Sequence, residues 1–293
     1  MWTNILKNYI QTQSQWMIGS ERTSRVFYMV KEQESFLRKK EMLKERKASI
    51  VNNQTSGSII RTQEADGKTQ VDYLVHHSLL IKQGYDFYVE ELVQERRSVF
   101  EDDVMLSDGP IIEEGSSTDA SKIDRDMSPP DFRKGIYQRM EAVKYAERWW
   151  NSHNPSFKNF DVNCTNYVSQ CINAGGIQMT NHGVRSKGWW MRNNNWSYSW
   201  SVANAFRWYL SGSRTGLVAE EKYSASQLLP GDIVCYDFDG DGRWEHSTIV
   251  VAKDPMGEPL VNANTTNSRM RYWGYEDSTA YTKRIQYKFF HIV

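Results

Sequence analysis

Apolar positions recur at helical spacing between Tyr137 and Trp150, where Ala142, Val143, Ala146, Trp149 and Trp150 fall on one stripe. Asn154-Pro155 ends that helix, because proline disfavours helical geometry in the residue before it. Phe160-Asp161-Val162-Asn163 then supplies a turn and an N-cap. A second helix starts at Cys164 and buries Tyr167, Val168, Cys171 and Ile172 until Gly175-Gly176 stops it. Further on the period changes to two. Pro230-Gly231-Asp232 opens a strand through Cys235, Asp237 to Gly242 form a tight turn, and Glu245 to Val251 form the next strand. Asp254 to Pro259 make a hairpin, and Leu260 to Asn264 return beside it.

The upstream half is built differently. Arg22 to Lys47 is a charged helical pattern carrying Val26, Phe27, Val30, Phe36, Leu37, Met42 and Leu43. Thr69 to His77 and Asp86 to Val93 read as strands, with Gly84 in the turn between them. Acidic and Ser-rich sequence from 107 to 131, with few large apolar residues, cannot offset its chain entropy by burial and reads as a linker. The expected organisation is therefore α+β: a helix-and-strand domain over 1–106, a linker over 107–131 and a second domain over 132–293.

Composition narrows the chemistry. Lys+Arg and Asp+Glu are both 36, so no net charge argues for a nucleic-acid or anionic-membrane partner. Three cysteines fit a reducing compartment or a reactive thiol better than a disulfide framework. The start, Met1 to Ile10, lacks the basic and apolar blocks of a secretory signal, and no apolar run approaches the ~20 residues a membrane helix needs. A cytoplasmic chain is the expectation.

Cys164 is the residue that these patterns single out. A helix N-terminus offers unpaired N–H groups and a partial positive charge, which favour a thiolate. His246, at the start of a strand, can take the thiol proton, and a polar residue on the return strand, Asn262 or Asn264, can orient the imidazole. Cys171 and Cys235 read as packed thiols. Asn151, Asp161 and Asn163 are candidates for a second oxyanion donor beside the Cys164 N–H.

Other features carry less. His76 and His77 point to opposite faces of a strand and cannot easily share an ion. The basic run from Arg38 to Lys47 is interleaved with Glu41 and Glu45 and reads as a solvated helix face. Asp237, Asp239 and Asp241 before Gly242 copy the first half of a calcium loop, but Thr248 stands where its bidentate Glu belongs, so a solvated acidic turn is the reading. Five tryptophans lie between 189 and 208. Trp200, Phe206 and Trp208 read as the inner face of one helix, while Trp189, Trp190 and Trp196 fit either core or the wall of a cleft.

From about Tyr137 to Val293 the chain resembles the bacterial Putative amidase domain, a branch of the papain-like NlpC and CHAP cysteine hydrolases. The resemblance lies in Ala142 to Ala146 with Trp149-Trp150-Asn151, in Asn163 to Cys171, in Gly175-Gly176, in Pro230-Gly231-Asp232, in Trp244 to Val250 and in Leu260 to Ala263. It implies a papain-like domain with Cys164 as nucleophile, His246 as base and Asn262 as orienting residue, cleaving an amide of peptide type without a cofactor. NlpC-type members commonly carry Asp and His where this chain has Asn163 and Asn262. A non-catalytic binder using the 189–208 segment is the alternative.

Overall fold

The computed structural model describes residues 1–19, 27–111, 136–180 and 183–293. It divides into two compact units, Met1–Ile112 with Tyr275–Ala280, and Glu113–Gly274 with Tyr281–Val293. No helix among the described residues is long and apolar enough to cross a membrane.

The first unit contains helices α1 (Trp2–Met17) and α2 (Val30–Glu45) and strands β1 (Ala48–Ala65), β2 (Lys68–Gln83), β3 (Asp86–Glu101) and β4 (Val104–Pro110). The strands pair antiparallel in chain order. Leu6 of α1 packs with Val71, Tyr73, Val75, Phe100 and Met105, and Trp16 and Met17 pack with Leu43, Leu79 and Ile81. Neither α1 nor β1 was legible in the chain: β1 reads Asn-Asn-Gln-Thr-Ser-Gly-Ser through its middle and is exposed along most of its length, so no apolar alternation marks it.

Two expectations are corrected here. Ser107 to Pro110 belong to β4 and not to a linker. Asp108 is buried and accepts from Arg96, Tyr73 and Ser98, an anchoring that acidic composition does not reveal. The remainder of the proposed linker, from 112, lies outside the described residues. In the basic run of α2, Lys39 is buried and ion-paired to Glu90 and Asp277, because a charge out of water needs a partner. Of the histidine pair, His77 is buried and contacts Asn53 and Thr55, while His76 is half-buried against Glu91.

The second unit runs through α3 (Arg139–Trp149), α4 (Cys164–Ala174), β5 (Met191–Arg192), β6 (Asn195–Trp196), α5 (Tyr198–Ser201), α6 (Ala203–Gly212), β7 (Ala219–Lys222), β8 (Ile233–Asp237), β9 (His246–Lys253), β10 (Pro259–Ala263), β11 (Asn267–Tyr272) and β12 (Gln286–Ile292). Its strands form an antiparallel sheet in the order β11-β10-β9-β8-β12-β7. α4 packs on β9, and α3 packs on both. Central β8 is buried throughout, as expected of a strand covered on both faces. Extended Val202 breaks the predicted helix over 200–210 into α5 and α6. That break turns Trp208 outward at 48% exposure and leaves Trp200 and Phe206 in the core.

Asp232 ties the unit's ends together. Its carboxylate takes Arg139 of α3, His291 and the Ile292 N–H of β12, and the Leu229 N–H. The Pro-Gly-Asp motif is thus a buried clasp that holds α3 and β12 to the start of β8.

Candidate active site

Cys164 is the first residue of α4, and Asn163 occupies the N-cap position. The Asn163 side chain caps nothing. Its Oδ1 accepts from Asn166 Nδ2 at 2.7 Å and from Phe160 N at 3.3 Å, and its Nδ2 donates to Asn264 Oδ1 at 2.9 Å. The backbone N–H of Asn163 goes to Thr265 Oγ1 at 2.7 Å. Asn264 in turn donates Nδ2 to the carbonyls of Trp149, Trp150 and Ser152 at the end of α3. Two helix ends are therefore joined through one asparagine pair, which sets where the α4 N-terminus lies. With its amide committed, Asn163 is not an oxyanion donor in this arrangement.

The thiol is buried, with Cys164 only 2% exposed. Its sulfur is hydrogen-bonded at the backbone of Ser247 and lies 3.8 Å from Thr165 Oγ1, which itself donates to Ser247 Oγ at 3.3 Å. Burial pushes the thiol pKa up, and the hydrogen bonds from Ser247, Thr165 and the helix start oppose that shift without overcoming it. The sequence expectation of a depressed thiol is thus reversed: the helix N-terminus acts as foreseen, but desolvation outweighs it. Thr165 and Ser247 escaped notice because a hydroxyl beside a cysteine carries no spacing signal.

His246 begins β9, pairs with Tyr236 across the ladder and precedes the residue whose backbone meets the sulfur. Its ring is half-buried, 5.5 Å from the Tyr236 ring and 6.1 Å from that of Phe238. Burial, with help from nearby Arg271, pushes the imidazole down to about 3, so it is uncharged at neutral pH. Burial thus favours the uncharged form of both side chains.

Asn262 does not orient that ring. It pairs with Ile249, three positions after His246, so alternation puts it on the other face of the ladder. Its Nδ2 donates to Glu147 Oε1 at 2.8 Å and its Oδ1 accepts from Met270 N at 2.9 Å. Glu147 also holds Arg269, so Asn262 fastens α3 to the β10–β11 hairpin. Asn264, the other orienting candidate, is spent on α3 and Asn163. Asn151 and Asp161 are exposed residues of the loops before α4.

The Putative amidase domain matches residues 136–290, more than half of the chain, and spans every residue of this site. The chain belongs to that family. Amide hydrolysis is the activity the family points to. The uncharacterized protein YhbB of Bacillus subtilis (strain 168) is 47% identical over 266 residues, 87% of this chain and 85% of that protein. A second relative in the same organism, the uncharacterized protein YjcM, is 30% identical over 141 residues, 45% of this chain and 31% of that protein. No solved structure matches the chain.

Within the amidase domain the tryptophans separate. Trp189 is 0% and Trp190 2% exposed, so both are core and neither lines a cleft. Trp189 donates to Ser169 Oγ and Trp200 to Asn166 Oδ1, which fixes the loop between α4 and α5 onto α4. Trp196 alone of the three keeps a half-exposed ring.

The acidic turn gathers Asp237, Asp241 and Glu245 as a set able to hold a cation, leaving Asp239 out and including a glutamate that the calcium-loop spacing does not predict. Asp237 is buried, and its two oxygens accept from the backbones of Gly240, Asp241 and Gly242, so it closes the turn by itself. Burial and the three aspartates raise Glu245 to about 7.

Proposed function

We propose that this domain is a cysteine amidohydrolase of the papain-like NlpC and CHAP kind, acting on an amide bond in peptides of cell-wall type. Cys164 is the nucleophile and His246 the base. One observation carries the reading: inside the matched amidase region, the sulfur of the first α4 residue meets the β9 backbone one residue past His246.

In this reading the His246 ring, first in its strand, turns to the sulfur and accepts its proton as the thiolate attacks the substrate carbonyl carbon. The imidazole is uncharged at neutral pH and has a free lone pair, but burial also weakens it as a base. The bound substrate must therefore restore its basicity toward the working pH. The N–H groups at the start of α4 then face the oxyanion, and one such donor typically supplies ~2.7–4 kcal/mol. The imidazolium protonates the leaving amine, leaving a thioester that water, activated by the same imidazole, hydrolyses.

The test is turnover of a panel of peptide and amide substrates by the full chain, its Cys164→Ala variant and its His246→Ala variant. Loss of at least ~1,000-fold in both variants is expected, since neither member works without the other. Turnover that survives Cys164→Ala sinks the reading.

A further inference from the structure

The geometry points to a carboxylate-binding subsite beside the nucleophile helix, made by Lys158, Arg185 and Trp196. This inference rests on the amidohydrolase reading and names the chemistry of the substrate it takes.

The site is built from two segments. Asn193 and Asn194 adopt φ values of 51° and 60°, the left-handed pair that a two-residue hairpin turn needs, and so join β5 to β6. The hairpin presents Trp196. Asn195 Oδ1 accepts from Arg185 Nε at 2.8 Å and from Trp196 N at 3.0 Å, which fixes guanidinium and indole together. The guanidinium carbon stands 4.4 Å from the Trp196 ring centroid. On the second segment, Lys158 Nζ lies 5.1 Å from the same centroid, and the Phe160 ring meets Trp196 edge-on at 4.9 Å.

That second segment is bound directly to the first turn of α4. Asn166 Nδ2 donates to the Lys158 carbonyl at 2.9 Å, and Phe160 N donates to Asn163 Oδ1. Lys158 therefore sits on the loop that delivers Cys164, and Arg185 shares its indole from the segment after α4. Both are exposed, and among the described residues neither is ion-paired to a carboxylate. Asp161, adjacent to Phe160, is exposed and pairs with neither.

Two cations held over one indole are oriented and not freely solvated: the ring attracts each charge and restricts its side chain, while the outward N–H groups stay available. Arginine offers a fork matched to a carboxylate, lysine adds a second positive charge at the same ring, and the half-exposed indole offers an apolar surface for the attached carbon chain. A neutral amide gains nothing from either cation. The carboxylate can be an acidic side chain or a free chain terminus, since both present the same two oxygens.

Calorimetric titration of the full-length Cys164→Ala protein separates these sources. The probes are N-acetyl-Ala-Gln-Ala amide, its Glu counterpart and its free-acid counterpart. At least one acid peptide is expected to bind tenfold or more tighter than the neutral one, and which of the two does so identifies the source. Adding Lys158→Gln with Arg185→Gln should bring that ratio close to one, with circular dichroism checking the fold. Equal binding of all three peptides, or a ratio that the double substitution leaves intact, overturns the subsite. Wild-type hydrolysis of the same three peptides, read by mass spectrometry of the products, is followed in parallel. Preference without turnover supports the subsite and removes the hydrolase reading, whereas turnover without preference removes only the subsite.

Discussion

Asn264 accepts a hydrogen bond from Asn163 Nδ2 at 2.9 Å while its own amide nitrogen faces three carbonyls at the end of α3. Helix α4 is thereby aligned by a residue 100 positions after Cys164. Replacing Asn264 by Ala strips donors from buried carbonyls and an acceptor from Asn163, at a cost of about 1–3 kcal/mol for a buried group left unsatisfied. Asn264→Asp should cost more, because it turns a donor into an acceptor facing those carbonyls. Urea unfolding of the two variants checks the order, and a more stable Asp variant refutes the arrangement.

Cys164 should alkylate slowly in mild acid. Burial raises its thiol, so reaction with iodoacetamide is expected to quicken about tenfold per pH unit through the neutral range, without an acid-side plateau. Cys235, pushed up to about 12, and the fully buried Cys171 should lag behind it. Mass spectrometry of labelled peptides between pH 5 and about 9, a window spanning the ordinary thiol range, reads all three rates. A pH-independent fast reaction at Cys164 would instead reveal a preformed thiolate–imidazolium pair.

His77 makes the first unit acid-sensitive. Burial, then the positive charge of Arg96, lowers it from the ordinary 6.5 to about 3. Between those values the unfolded chain binds a proton that the folded chain does not, so stability is full above 6.5 and falls as pH drops, by at most ~1.4 kcal/mol per unit. Urea midpoints measured from pH 7 to 4 should decline less steeply in His77→Gln. An unchanged slope in that variant means that other groups carry the effect.

Calcium should do little at the acidic turn. Asp237 already spends both oxygens on backbone N–H groups, leaving too few ligands for an ion that takes six to eight oxygens. Thermal unfolding with and without about tenfold excess over a millimolar affinity would move by several degrees if a cation were held there, since such binding adds ~1.4 kcal/mol. An unchanged midpoint is expected, and a shift abolished by Glu245→Gln would overturn it.

Much of the second unit is written in short-range signals. The stripe of α3, the Asn-Cys start and Gly-Gly stop of α4, Pro-Gly-Asp before β8 and the hairpin from β9 to β10 each depend on residues within a turn or two, and each appears where the pattern puts it. The packed state of Cys171 and Cys235 follows from the same periodicities.

Partners far apart in the chain were beyond that reach. Periodicity assigns Asn262 a face but not the Glu147 it meets 115 positions away. It marks Trp189 and Trp190 as large and apolar but not as core, and it cannot tell that Lys39 and Asp108 are buried because their counter-charges arrive from other elements. The thiol is the clearest case. Its place at a helix start was local information, whereas its raised pKa came from desolvation, which exists only once the sheet has closed over the sulfur.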